Sequence, residues 1–202
     1  MVIRQHDERK VRTLLAQECA RLMAEEGVKD FLTAKRKAAG RLGVSKRALL
    51  PGNAEIEQAL VEYQRLFKAN EQPLQLRLLR RTALEAMRFL ARFRPRLVGA
   101  VLNGTAGPHA DVDLHLFADT SEEVALFLLD HAIPFETSER RLRLANGEYA
   151  NLPVFGFEAG GVDIDLTVFS PGAEREAPRS PVDGRPMRRA GLAEVQALLA
   201  GE

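Results

Sequence analysis

The spacing of apolar residues changes once along the chain, near residue 93, and this change limits the possible folds more than any other feature. Before it, apolar residues recur every three or four positions, as at Val11, Leu15, Cys19 and Leu22, which predicts helices with one buried face. After it, short apolar runs are separated by Asn-Gly and Gly-Gly pairs, which predicts strands and turns. The sequence therefore predicts an α+β protein, with a helical region at residues 1–94 and a mixed-sheet domain with flanking helices at residues 95–202.

The second region divides into one helix and five short strands before its closing segment. In the first region, the fourth helix is predicted to begin at Pro73. In the second region, residues 97–102 are predicted to form a buried strand that enters a turn at Asn103 and Gly104. Further strands are predicted at residues 111–117, 141–145, 149–157 and 162–169, and a helix at residues 122–131. Residues 170–187, rich in proline and charge, are expected to form an extended strap before a short helix at 192–199.

Composition excludes several classes of protein. Hydrophobic residues make up 46% of the chain and charged residues 28%, as in ordinary soluble globular proteins. There is no apolar run of membrane-spanning length and no apolar signal core at the N-terminus, so we expect no membrane partner and a cytoplasmic location. The single cysteine, Cys19, lies in an apolar helical stripe and is expected to be buried filler.

Charge is distributed unevenly along the chain. Residues 1–97 contain 21 Lys and Arg against 11 Asp and Glu, whereas residues 98–202 contain 8 against 17. The basic helices are candidates to contact nucleic acid, because part of their charge recurs on one helical stripe: Arg77, Arg80, Arg81 and Arg88. An alternative explanation of the same asymmetry is that the basic helices pair with the acidic half.

Two acidic pairs carry the strongest chemical signal. Asp111 and Asp113 are one residue apart on a predicted strand and therefore share a face, and Asp163 and Asp165 repeat the arrangement on a later strand. If these strands are neighbours, several carboxylates converge, which suits Mg²⁺ bound together with substrate phosphates. His115 shares the face of Asp113 and is a candidate to bind the metal, to stack on a base or to donate to the phosphate. The alternative is a surface histidine of an edge strand.

Groups suited to phosphate lie near the acids in sequence. The small-residue turn at Gly104 and Thr105 allows backbone N–H groups and a hydroxyl to approach an anion. Arg141 and Arg143 share one face of a predicted strand and are candidates to bind a triphosphate, or to act as counter-ions of the acidic half.

Together these residues resemble the nucleotidyltransferase superfamily of DNA polymerase beta. The family pattern is an apolar residue and Gly followed by Gly or Ser, then an Asp-apolar-acid triplet, then a distant acid between apolar residues. Here Gly104 and Thr105, the triplet from Asp111 to Asp113, and Asp163 or Asp165 match it. The resemblance covers residues 97–170 and implies a mixed sheet with helices behind it.

The resemblance also implies an activity and a role for each residue. The activity is Mg²⁺-dependent transfer of a nucleoside monophosphate from an NTP to an acceptor hydroxyl, at a site of the two-metal type. Asp111 and Asp113 would bind the metals, Asp165 or Asp163 would be the third acid that assists in deprotonating the acceptor, and Gly104 and Thr105 would hold the triphosphate. The acceptor stays open between RNA, protein and a small molecule.

A second hypothesis is a nucleotidyltransferase fold that has lost catalysis and acts as a nucleotide-binding, nucleic-acid-binding or regulatory module. It rests on the five residues between Thr105 and Asp111, since the family usually has about twice as many, including a helical turn that faces the phosphates.

Overall fold

The structure, a computed structural model, describes the backbone of residues 2–201 and the side chains of residues 7–201. Its α-helices are α1 (Val2–Glu25), α2 (Phe31–Arg41), α3 (Asn53–Phe67), α4 (Gln72–Phe89), α5 (Gly99–Asn103), α6 (Ser121–Asp130) and α7 (Leu192–Ala200). Its strands are β1 (Arg96–Leu97), β2 (Val112–Phe117), β3 (Glu136–Arg143), β4 (Tyr149–Ala159) and β5 (Val162–Phe169). The predicted α+β class is confirmed.

The chain forms two compact units. The first contains the chain up to Pro73 together with Gly107–His109 and Pro181–Asp183, and the second contains Leu74–Ala106, Ala110–Ser180 and the segment from Gly184 onwards. The division differs from the predicted boundary between residues 94 and 95, because α4 packs with the sheet: Leu79 and Met87 of α4 belong to the same core as Leu114 of β2. The amphipathic pattern of α4 shows that one face is buried, but not which element covers it.

The first unit is a small helical assembly. Leu15, Cys19 and Leu22 of α1 pack with Ile56 of α3 and with alanines of α2 in one apolar cluster. Cys19 is fully buried, as expected, and burial raises the pKa of its thiol to about 11. The thiol is therefore protonated at neutral pH and unreactive.

The second unit is built on a five-stranded mixed sheet of order β1-β2-β5-β4-β3. The central pair β2 and β5 is parallel, and the other neighbours are antiparallel. Alternate residues of the central strands, among them Leu114 and Leu166, pack into one apolar core with helices α4, α6 and α7. Those helices cover one face of the sheet, while the other face carries the intervening residues.

The predicted strand at residues 97–102 is wrong. Only Arg96 and Leu97 pair with β2, and the chain then enters α5 at Gly99, whose φ of +70° is a left-handed conformation. A short apolar run has no period by which a buried strand can be told from a buried helix. Gly99, which permits the left-handed conformation at the start of α5, is therefore a better indicator of the local structure than the apolar run.

Candidate functional site

Two carboxylates from distant parts of the chain lie side by side on the face of the sheet opposite the helices. Asp113 of β2 and Asp165 of β5 are Cα partners in the parallel ladder, so their side chains project at the same level from the same face. Each side chain is 26% exposed. The pairing of β2 with β5 thus brings the two acids together at a spot that solvent can reach.

One arginine joins these two acids. Arg140 Nη1 donates to Asp113 Oδ1 at 2.5 Å, and Arg140 Nη2 donates to Asp165 Oδ2 at 2.6 Å. Burial alone would lower the pKa of Arg140, but the charges and hydrogen bonds of Asp113 and Asp165 raise it above its ordinary value. The guanidinium is therefore a permanent cation that compensates the repulsion between the carboxylates.

Arg140 reaches the acids from β3, which is separated from β5 by β4. Gly156 of β4 is the Cα partner of Asp165, and a Cβ added there would lie 3.2 Å from Asp165 Oδ1. A larger residue at this position would crowd the carboxylate, so glycine keeps the space beside it open. The Arg140 side chain is 34% exposed, which leaves part of the guanidinium in contact with solvent.

Of the two glycines at the ends of α5, Gly99 and not Gly104 lies against the acid pair of Asp113 and Asp165. A Cβ added at Gly99 would lie 2.9 Å from Asp113 Oδ2, and the φ of +70° favours glycine independently. Gly104 ends α5 at φ +82° with Arg80 and Leu76 nearby, and Thr105 N donates to Ala100 O at 3.0 Å. The turn predicted to hold phosphate therefore terminates α5, while the start of this helix lies against Asp113.

The two arginines predicted to bind phosphate lie on the other face of β3. Residues of a strand alternate, so Arg141 and Arg143 project away from the face that carries Arg140. The Arg141 guanidinium stacks on Tyr149, 4.6 Å from the ring centroid, and Arg143 Nε donates to Gly147 O at 3.3 Å. The sequence identified the basic cluster, but residue spacing alone does not show which members face the acids.

The other two predicted acids are not in this pair. Asp111 precedes β2 and lies outside its ladder with β5. Asp163 is exposed, and its Cα partner on β4 is another acid, Glu158. Because Asp165 is in register with Asp113 and both bind Arg140, the geometry favours Asp165 over Asp163 as the distant acid.

His115 is a buried residue of the same face, not a surface histidine. It is 1% exposed, its Nδ1 accepts from Arg189 Nε at 3.0 Å, and its ring packs 4.5 Å from that of Phe169. Burial, followed by the positive charges of Arg189 and Arg140, lowers the pKa of His115 to about 3. The imidazole is thus neutral, and its Nδ1 lone pair is already used by Arg189.

Two further buried polar groups on this face lack partners. Thr167, the Cα partner of His115, is fully buried, and its Oγ1 makes no hydrogen bond. Arg189 Nη1 donates to Ala173 O at 2.8 Å, whereas its Nη2 is buried without a partner. Buried polar atoms are usually bonded. No sequence signal singled out Thr167, within an apolar strand, or Arg189, which lies just beyond the predicted strap of residues 170–187.

Asp113 and Asp165 can hold a magnesium ion if the Arg140 guanidinium moves aside. Mg²⁺ is commonly held by one or two carboxylates while phosphate oxygens and waters complete its coordination. Asp113 and Asp165 supply that donor set, although no group of three or more His, Cys, Asp or Glu placed to hold a metal occurs in the described part of the chain. Because Arg140 binds one oxygen of each acid, an ion at this position requires the guanidinium to move aside.

The basic stripe predicted on the fourth helix is wrong for Arg80. Arg80 is buried, and it donates from Nε to Val101 O at 3.1 Å and from Nη2 to Leu102 O at 3.4 Å. It therefore satisfies carbonyl groups of α5, which have no partners within so short a helix. Arg77, Arg81 and Arg88 are exposed on α4, and their contact with nucleic acid stays a prediction.

Comparison of the chain with protein-family models, curated proteins and solved structures finds no match. Within the described residues, no helix combines the length and apolar character needed to cross a bilayer. The residues of the acid pair and their sequence resemblance are therefore the basis on which a function is assigned.

Proposed function

We propose that this chain is a nucleotidyltransferase that transfers a nucleoside monophosphate from an Mg²⁺-bound NTP to an acceptor hydroxyl. The observation that carries the proposal is the in-register pair of Asp113 and Asp165 next to Gly99. Acids on neighbouring strands beside a glycine at a helix start support part of the arrangement that the resemblance implies.

The position of Gly99 also removes the main difference from the family pattern. Val98, Gly99 and Ala100 provide an apolar residue, a glycine and a small residue at the start of α5. Ten residues separate Ala100 from Asp111, which is the spacing usual for the family. The phosphate-binding role assigned to Gly104 and Thr105 therefore moves, in this proposal, to the chain around Gly99, although Ala100 lacks the hydroxyl of a serine.

Each residue of the site has a distinct role in the proposed reaction. Asp113 and Asp165 would hold the cation, Asp111, which precedes β2, would be a further ligand, and Asp165 would accept the proton of the acceptor hydroxyl. When bound, Mg²⁺ supplies positive charge to the reacting phosphate and to the leaving pyrophosphate. Whether the acceptor is RNA, protein or a small molecule stays open.

We place the reaction in the cytoplasm, where NTPs are available and a lone cysteine stays reduced. Cys19 is buried and has no cysteine partner in the chain. This location agrees with the chemistry of the proposal, and fractionation of cells that produce the protein tests it directly.

Pyrophosphate release tests the activity. The four NTPs are supplied with Mg²⁺ and with crude cellular RNA and protein as acceptors, and wild type is compared with Asp113→Asn. We expect the variant to lose roughly a hundredfold or more in rate, because a metal-holding carboxylate is removed. Asp119→Asn is the matched control, since Asp119 is exposed beyond the end of β2. Equal rates for all three proteins, or no release by wild type, reject the enzyme.

A second candidate function is favoured by the bonds of Arg140. Because the Arg140 guanidinium pairs with both Asp113 and Asp165, the two acids are charge-compensated without a metal, as they would be in a non-catalytic module that binds nucleotide or nucleic acid. The module predicts Mg²⁺-dependent thermal stabilisation by an NTP without pyrophosphate release. If the basic helix α4 dominates binding instead, affinity for RNA should fall steeply with salt and should survive Asp113→Asn.

A further inference from the structure

We infer that Arg140 is an exchangeable counter-ion of the acid pair: it bonds Asp113 and Asp165 when no metal is bound, leaves them when a divalent cation enters, and then pairs with the triphosphate that accompanies the cation. The inference rests on the proposed site and adds a competition between a side chain and the metal. It is supported by the position of the Arg140 guanidinium, which occupies the place where the metal ion is predicted to bind.

The position of Arg140 is that of a cation bound by two acids. Its two terminal nitrogens take one oxygen from each carboxylate at 2.5 and 2.6 Å. A divalent cation bound between Asp113 and Asp165 at this position would take the place of the guanidinium, so the two cations compete for it. Without either, two carboxylates at the same level of neighbouring strands would repel each other in a partly buried setting.

The attachment of Arg140 allows it to leave without a change in the sheet. The residue is paired with Leu152 on β4, whereas Asp165 is paired with Gly156, so the side chain extends along the face to reach the acids. Gly156 presents no side chain in this region, and the guanidinium is partly in contact with solvent. Rotation about side-chain bonds alone is then sufficient to release it.

Charge balance gives the released guanidinium a new partner. Two carboxylates with Arg140 carry a net charge of −1, which disfavours a polyanion, whereas two carboxylates with a divalent cation and Arg140 carry +1. Arg141 and Arg143 face the other side of β3, and Arg189 is bonded to His115 and to the carbonyl of Ala173. Of these four arginines, Arg140 is the one placed to bind phosphate oxygens, which suit its planar donors.

A further observation on this face is a buried polar side chain without a hydrogen-bond partner. Thr167 lies two residues from Asp165 on the same face, is fully buried, and leaves its hydroxyl without a hydrogen-bond partner. A stretch selected for packing alone would carry an apolar residue there. The unbonded hydroxyl lies on the face that carries the ion triad of Asp113, Asp165 and Arg140, and it supports a polar role for this face.

Binding of Mn²⁺ alone tests the first half of the inference. Isothermal titration with wild type, Arg140→Gln and Arg141→Gln separates competition from a general loss of charge, since Arg141 is the next residue of β3 on the opposite face. We expect Arg140→Gln to bind Mn²⁺ about tenfold or more tightly than wild type, because a charge-assisted bond to each acid no longer competes. Arg141→Gln should bind Mn²⁺ with the affinity of wild type. When Arg140→Gln is combined with Asp165→Asn, the increase in Mn²⁺ affinity should disappear.

Binding of a non-hydrolysable NTP analogue at saturating Mn²⁺ tests the second half. Arg140→Gln should now bind the analogue about tenfold more weakly than wild type, and Arg140→Lys should recover part of the affinity. A variant with tighter metal binding and weaker nucleotide binding is the signature of exchange. A merely structural arginine would alter both in the same direction, and circular dichroism with a thermal midpoint shows that each variant is folded.

The outcomes separate this inference from the proposed activity. Unchanged or weaker Mn²⁺ binding by Arg140→Gln, or no binding by any of the folded proteins, overturns the inference. Opposite effects on metal and nucleotide without pyrophosphate release leave the inference intact and reject nucleotidyl transfer. Pyrophosphate release with equal Mn²⁺ affinity in wild type and Arg140→Gln supports nucleotidyl transfer and overturns the inference about Arg140.

Discussion

The two faces of the sheet are made by alternate residues of the same strands, yet they are organised by different interactions. On the face covered by helices, β2 and β5 contribute Leu114 and Leu166, which pack into the apolar core. On the other face, the same two strands contribute Asp113 and Asp165, which share an arginine. The first face stabilises the unit by burial, and the second holds charges that must be compensated. The comparison shows that a period-two pattern can separate stability from chemistry within single strands.

The largest expected difference between the two faces is in the free energy of unfolding that is lost when a leucine is replaced by alanine. Leu114→Ala removes a fully buried side chain of the covered face and should lower the free energy of unfolding by about 2–5 kcal/mol. Leu152→Ala, on the other face opposite Arg140, removes a half-buried leucine and should cost about half as much or less. Urea unfolding followed by circular dichroism measures both. Equal losses would contradict the distinction between the two faces.

The next effect concerns pH and the buried histidine. The folded pKa of His115 is about 3, below the ordinary value of 6.5, so the unfolded chain binds a proton at pH values where the folded chain does not. Stability from this residue is complete above pH 6.5 and is lost as pH falls toward 3, by about 1.4 kcal/mol per pH unit. Between pH 7 and pH 5 wild type should therefore lose about 2 kcal/mol.

The variant His115→Gln tests this origin because it has no group that titrates there. Its free energy of unfolding should change much less than that of wild type between pH 7 and pH 5, even if it is lower throughout. Urea unfolding at several pH values gives the two slopes. Parallel slopes would show that other groups account for the acid sensitivity of the chain.

The smallest effect is expected from the unpartnered hydroxyl. Thr167→Val replaces a buried, unbonded Oγ1 with a methyl group of similar shape and should leave stability unchanged or raise it by about 1 kcal/mol. Thr137→Val on the exposed part of β3 is the control and should change stability by less than about 0.5 kcal/mol. A clear loss on Thr167→Val would mean that the hydroxyl is bonded in solution, for instance by a buried water.

Sequence patterns predicted the elements of the fold better than their partners. The periodic spacing in the helices and the turn pairs around β4 and β5 depend on neighbouring residues, so they can be identified along the chain. The short run before Asn103 has no period, and it forms α5 instead of the predicted strand. Packing of α4 against the sheet depends on residues far away in sequence, which explains the different position of the boundary between the units.

The site shows the same limit at the level of single residues. Alternation indicated that Asp113 and Asp165 each occupy one face of a strand, but only the pairing of β2 with β5 shows that the faces coincide. Arg140 and Arg141 are adjacent and chemically identical, and the start of β3 at Glu136 with its register decides which of them meets the acids. Gly99 is identified in the structure by its backbone angle and its close approach to Asp113. The ten residues between Ala100 and Asp111 are the sequence signal that could have identified it.

The parallel pairing of β2 with β5 has a consequence for how the protein is produced and studied. These strands are neighbours in space, but α6 and the β3–β4 hairpin separate them along the chain, so their closure brings together widely separated segments. A nascent or truncated polypeptide that ends before Val162 contains Asp113 and Arg140 without their second carboxylate partner. The ion triad is thus a property of the completed sheet, and any signal from it reports that synthesis and folding have passed β5.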